Sequence, residues 1–287
     1  DHWLSKNYRW ILLAFTLAWA GMRISFFTSF EKTPLYSQYL LPNSDNKFFL
    51  DWAYQLSDDC WQDKALHPYH MWHKELADQY FANHPDVASQ YKKEAASRTD
   101  SLEPGQLLWN KWYHEKTFHQ EPLYPYLLSF FIRTGADPVR FMFFLQLLLG
   151  VLSGILLMAV TRRNFGSTAS VLSGIIYLFC GILLYNEVIL LRTSWLVFFT
   201  LLDVYLTDRM LDRRDKRSFL LAGLGFGFSF LLQSTFLLLA LSAVTTVLFS
   251  SRKELSQTLR KASIFLGAFI FVILPLLIRN IHVGAPL

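Results

Sequence analysis

The sequence predicts an all-α polytopic membrane protein with about seven transmembrane helices and a large, mainly helical outer loop between the first and second. Three observations predict it. Hydrophobic residues make up 53% of the 287 positions and charged residues 17%, a balance that suits membrane helices combined with a sizeable polar segment. Apolar runs of membrane length recur, where about 20 residues cross ~30 Å of hydrocarbon. Basic residues cluster in the short turns between those runs, as they do on the cytoplasmic side of a membrane.

The first run, Trp10 to Phe27, follows Lys6 and Arg9 and lacks a small-residue cleavage site, so residues 1–27 are expected to stay as the first transmembrane helix. Residues 28–135 form the expected extracytoplasmic loop. From Thr28 to Pro122 nine basic residues face fourteen acidic ones, whereas the rest of the chain is strongly basic. Charge sorted in this way argues against a nucleic-acid binder. WHKELADQYF (72–81) has a helical pattern, and the polar stretch Pro85–Gly105 looks inserted. LYPYLLSFFIRT (123–134) is too short to span and is expected along the interface.

Residues 136–287 are expected to hold six further crossings. Val139–Val160 ends at Arg162-Arg163. Thr168–Tyr205 is interrupted at Asn186-Glu187 and Arg192, and ends at DRMLDRRDKR (208–217). Phe219–Phe249 has Gln233-Ser234-Thr235 at its middle and ends at SRKELSQTLRK (251–261), and Ile264–Ile278 leads into Arg279-Asn280. If the basic clusters all face inward, the two long runs must be hairpins tipped at 186–187 and 233–235, with legs short enough to need some tilt or bilayer thinning. The N-terminus then lies inside, and Glu187, Gln233 and Arg279 share the outer face with Asp45. The ends at Asp1 and Leu287 read as those of a piece of a longer protein. Cys60 and Cys180 sit in different surroundings, so no disulfide is expected.

Chemistry centres on SDNKFFLDWA (44–53). Asp45, Phe49 and Ala53 are four apart and share one helix face. A carboxylate at a helix start is also an ordinary cap, which is the alternative to a catalytic role. Asp, an aromatic four on and Ala eight on, just after the first membrane helix, resembles the first outer loop of bacterial GT-C glycosyltransferases of the protein O-mannosyltransferase and aminoarabinose-transferase type. Further segments resemble the same family in order: QEPLYPYLL (120–128), RRNFG (162–166), LYNEVILLRT (184–193) and PLLIRN (275–280) with Gly284-Ala285-Pro286. Phe49 stands where the family usually has Tyr.

The resemblance implies an inner-membrane enzyme with its active site on the extracytoplasmic side. It would move a sugar from a polyprenyl-phosphate donor to an acceptor hydroxyl with inversion, and Asp45 would be the base. Asp51 is the rival, but six residues on it is turned about 120° off that face. Arg279 would meet the departing phosphate with its planar fork. Arg192 needs a partner, for which Glu187 or a lipid phosphate is expected, and both residues are candidates for the donor side. Glu121, with His119 and Tyr124 nearby, could serve the acceptor or a metal.

HPYHMWH (67–73) puts three histidines at i, i+3 and i+6, starting a helix at Pro68, but without the fourth ligand that a zinc site needs. No cofactor is indicated. The glycines of AGLGFGFS (222–229) are expected to let helices pack closely. A transporter or flippase for a lipid-linked substrate and a non-catalytic scaffold of the same fold are the rival functions.

Overall fold

A computed structural model describes residues 2–42, 44–61, 65–98, 102–250 and 255–285. Part of the third basic cluster, residues 251–254, and Pro286 lie outside them. The described elements are helical: α1 (His2–Phe30), a 3-10 turn (Pro34–Leu40), α2 (Asp45–Asp58), α3 (Met71–Asn83), α4 (Pro85–Ser97), α5 (Pro104–Trp112) and α6 (Leu123–Arg133), followed by α7 (Pro138–Leu178), α8 (Gly181–Glu187), α9 (Thr193–Arg213), α10 (Lys216–Leu232), α11 (Phe236–Ser250) and α12 (Leu255–Val283). Among the described residues three helices are long and apolar enough to cross a membrane: His2–Phe30, Pro138–Leu178 and Ser256–Val283.

α7 is two legs. Gly166 has φ +90° and ψ 177°, a conformation that glycine adopts without a Cβ penalty, directly after the Arg162-Arg163 pair. Beyond it the chain folds back on itself. Ser170 Oγ donates to the Met158 carbonyl at 2.7 Å, and Tyr177 OH to the Gly150 carbonyl at 2.7 Å. α1 lies along the first leg, with Tyr8 near Met158 and Trp19 filling the space that Gly154 leaves open.

Contacts also fix the direction of the later helices. Ser229 Oγ donates to Asp203 at 2.6 Å, and Arg192 reaches the Leu232 carbonyl, so α9 and α10 are antiparallel about the Arg214 turn. Gly223 faces Phe265 and Ala268 while Gly227 faces Phe269 and Val272, so α10 and α12 run parallel. α11 makes the return between them, ending where Arg214 Nη2 donates to the Ser250 carbonyl at 3.3 Å. One end of the bundle therefore holds the 162–166 and 208–217 turns, and the other holds 187–192, 233–235 and Arg279.

Close approach at α10–α12 depends on missing side chains, as expected from the glycine run. A Cβ on Gly223 would sit 2.3 Å from the Phe265 carbonyl oxygen, which belongs to the backbone and cannot swing away. Gly223→Ala is expected to destabilise the bundle by about 1–3 kcal/mol. Thermal unfolding in detergent micelles checks this, with Gly267→Ala as control because nothing lies within 4 Å of its added Cβ.

The segment between α1 and α7 shares one core with the bundle, through Phe27, Phe143 and Leu190. Phe49, Trp52, Ala53 and Leu56 of α2 bury against Tyr124 and Leu128 of α6. Arg133 at the end of α6 donates to the Leu56 and Ser57 carbonyls at 2.7 and 3.1 Å, satisfying the open C-terminus of α2. The expected helix start at Pro68 is corrected: residues 65–70 are not helical, and His70 is the N-cap of α3. Pro68 stiffens the approach rather than starting the helix, so the three histidines do not share one helical face.

Candidate active site

Asp45 is the first residue of α2 rather than its cap. Ser44 caps the helix, its hydroxyl accepting from the Lys47 amide at 3.2 Å. The Asp45 carboxylate is exposed at the positive end of the helix and is not spent on capping. Phe49 on the same face is buried and meets the ring of Tyr124 edge-on at 5.3 Å, which fastens this face of α2 to α6. Asp51 lies on another side of the helix and pairs with Lys47 one turn back.

Tyr124 itself is fully buried, and its hydroxyl donates to Gln146 Oε1 at 2.8 Å. Gln146 Nε2 in turn donates to the carbonyls of Glu187 and Ile189 at 2.9 and 2.8 Å. This chain holds the 187–192 turn, which carries Arg192. The geometry gives Tyr124 a place in the packing beneath the site.

The charge pairing expected between Arg192 and Glu187 is corrected. Arg192 Nη1 pairs with Glu121 Oε2 at 2.7 Å and also donates to the Leu232 carbonyl. Glu121 Oε1 accepts from the Ser234 amide at 2.7 Å. Glu187 pairs instead with Arg23 of α1, Nη2 to Oε1 at 2.7 Å, and both side chains are buried. With the chain reversed at Gly166, the Glu187 side chain lies beside Gly150 and Arg23. Burial raises the carboxyl of Glu121, but its bonds from Ser234 and Arg192 outweigh that and hold it below the ordinary carboxylate value.

Glu121 and His119 line one cavity of about 200 Å³, closed on its far side by Phe230, Leu276 and Asn280. The His119 ring packs edge-on to Tyr113 at 4.8 Å and to Phe48 at 6.2 Å. Burial and then His70 push its pKa down, while the negative charge of Asp45 works in the opposite sense. His119 thus stands between the Asp45 end of α2 and the Glu121–Arg192 pair. No cluster of three or more metal-ligating side chains occurs among the described residues.

Arg279 is 2% exposed. Its Nε donates to the Trp61 carbonyl at 2.9 Å and Nη1 to the Lys116 carbonyl at 2.5 Å, with the guanidinium 3.9 Å from the centre of the Phe118 ring. It sits at the same end of the bundle as Asp45 and ties the 116–118 loop to α12.

Two buried ionisable residues were not picked out of the sequence as site candidates. Arg23 lies within the first apolar run, and Asp203, fully buried against Ser229, lies within the run that was read as broken only at 186–187 and 192. A charge inside a membrane-length run is itself the signal that could have found them.

His67 and His73 are pushed down to about 4, each mainly by burial and then by a neighbouring histidine, from an ordinary 6.5. Both stay neutral when folded, while the unfolded chain takes up their protons near 6.5. Stability is therefore full above that value and is lost as pH falls toward 4. Tryptophan emission from the outer segment is expected to stay constant above pH 6.5 and to report loosening between 6.5 and 4.

A family model described as dolichyl-phosphate-mannose-protein mannosyltransferase matches residues 119–278. The match takes in His119, Glu121, Glu187 and Arg192, while Asp45 lies outside it and Arg279 one residue beyond. No curated protein and no solved structure matches. Since the matched segment is more than half of the chain, the chain belongs to the dolichyl-phosphate-mannose-protein mannosyltransferase family of GT-C membrane glycosyltransferases.

Proposed function

We propose that the protein transfers a sugar from a polyprenyl-phosphate donor to an acceptor hydroxyl, with inversion, on the outer face of an inner membrane. Seven crossings follow from this reading, with the basic turns at 162–166 and 208–217 inside and the α2–α6 segment outside. The alternating directions of α1, the two legs of α7 and α9–α12 support that count.

In the proposed reaction Asp45 takes the proton from the acceptor hydroxyl as its oxygen attacks the anomeric carbon. The bond from that carbon to the phosphate oxygen breaks, and the lipid phosphate leaves with the electron pair. Asp45 suits the base because its carboxylate is exposed and Ser44 does the capping. Arg192 suits the leaving phosphate. Both of its hydrogen bonds use Nη1, so Glu121 and Leu232 hold one arm of a planar fork that can present its other N–H groups to a phosphate. Glu121 then positions Arg192, and Glu187 acts at a distance by fixing the turn that carries it. Asp51, already paired with Lys47, is left as a residue of the acceptor side. Arg279, bound to two loop carbonyls, positions His119 and Glu121 and does not itself grip the phosphate.

The observation that carries this reading is the family match over residues 119–278, joined to an exposed Asp45 carboxylate that Ser44 relieves of capping. The test is transfer of labelled sugar from a polyprenyl-phosphate donor by membranes containing the protein or its Asp45→Asn variant. Movement of the lipid across the bilayer without a new glycosidic bond would overturn the reading in favour of a transporter.

A further inference from the structure

The outer segment builds two cavities that share a wall. One, of about 160 Å³, lies between α2 and α5 and is lined by the carboxamides of Gln55, Gln106 and Asn110. The other, of about 140 Å³, opens at Ser44, Lys47 and Asp51, on the turn of α2 that carries Asp45. Leu66, His67 and Gln106 line both. Together they offer roughly 300 Å³ on the two sides of that wall.

His67 is the member that packing does not explain. It is 4% exposed, yet neither ring nitrogen makes a hydrogen bond of ordinary geometry, although the Glu115 backbone carbonyl lies close enough to favour the protonated ring. Tyr113 stacks on the ring at 5.5 Å, which fixes its orientation without satisfying it. A neutral imidazole in that position offers one donor and one acceptor to whatever enters, and a buried polar group left unpaired is destabilising. The charges around the cavities are paired among themselves, Lys47 with Asp51 and Arg98 with Glu115 at 3.9 Å. Among the described lining residues the charges therefore cancel. What remains on offer is a set of groups that both donate and accept, the carboxamides of Gln106 and Asn110 and an imidazole, beside the apolar surfaces of Leu66 and Pro68.

We propose that this double cleft binds the acceptor, and that the acceptor is a neutral polyhydroxylated glycan whose reacting hydroxyl emerges beside Asp45. Hydroxyls of a sugar ring match groups that donate and accept at once, and the C–H face of the ring suits the leucine and proline. The word acceptor rests on the transferase reading above, whereas glycan binding at His67 does not depend on it.

Saturation-transfer NMR on the full chain in micelles tests the proposal. The probes are the methyl α-glycosides of glucose, galactose and mannose, with a neutral Ser/Thr hexapeptide as the competing class. At least one glycoside is expected to receive saturation, and His67→Phe and Gln106→Leu are each expected to cut that signal tenfold or more. His67→Phe should also raise the melting temperature, because it removes buried ring nitrogens that make no hydrogen bond of ordinary geometry, whereas a purely structural histidine would lower it. If His67→Phe does not fold, Gln106→Leu carries the test. Saturation of the peptide alone, of no probe, or of a glycoside equally in parent and both variants overturns the proposal. Labelled-sugar transfer measured alongside separates the two readings: transfer without glycoside binding sinks only the glycan acceptor, and binding without transfer sinks only the enzyme.

Discussion

Asp45→Asn lowers the turnover of sugar transfer about 100- to 10,000-fold, the span that a positioned general base supplies. The substitution keeps the shape of the side chain, and the helix start survives because Ser44 accepts the Lys47 amide. Phe49 and Ala53 still bury against α6, so α2 stays in place. Only the capacity to take a proton is lost. Donor KM should move little, since Arg192 and Glu121 come from other elements. Asp51→Asn, which removes a partner from Lys47 on the acceptor side, should act on acceptor KM far more than on turnover. Steady-state kinetics with a labelled polyprenyl-phosphate sugar read all three quantities. Undiminished turnover in Asp45→Asn would remove the base assignment and return that residue to an ordinary helix start.

The second large effect concerns stability. Glu187→Leu strands the buried Arg23 guanidinium, and losing one partner of such a pair costs about 3–5 kcal/mol. Arg23 also donates to Tyr177 at 3.1 Å, which is too little to balance a full charge. The double variant Arg23→Met/Glu187→Leu removes both charges and should regain most of the loss. Thermal unfolding in micelles distinguishes the three proteins. Equal melting temperatures for the single and double variants would show that the pair is not the source of the stability. The single variant should also lose transfer activity, because the Arg23 pair ties the turn that bears Arg192 to α1.

The turns of the bundle were legible in the sequence because each has a local cause. Gly166 follows two arginines, the 208–217 cluster contains the Arg214 turn, and Gln233-Ser234-Thr235 falls between α10 and α11 where a polar tip was expected. The helix over 72–81 was legible for the same reason. Side-chain partners across long separations were not. Arg192 was matched to Glu187 because five residues look close along a chain, yet its partner Glu121 lies 71 residues away and that of Glu187 lies 164 away. Such pairings depend on which helix lies beside which, and spacing carries no such information. Asp45 could be singled out only through the family resemblance, since its local pattern fits a capping residue equally well, and the structure gives that capping role to Ser44. The cavities around His67 had no sequence signal, because they arise where 65–70 runs unwound between two helices.

Arg279 reaches back 218 residues to the Trp61 carbonyl and 163 to that of Lys116. During synthesis the outer segment leaves the ribosome long before its fastener exists. The stretch bearing His119 and Glu121 has earlier anchors in Arg192 and Ser234, but its tie to α12 comes later. A chain halted short of α12 would keep Glu121 on Arg192 yet lose both carbonyl contacts of Arg279, leaving the 116–118 loop as the first part of that segment to loosen.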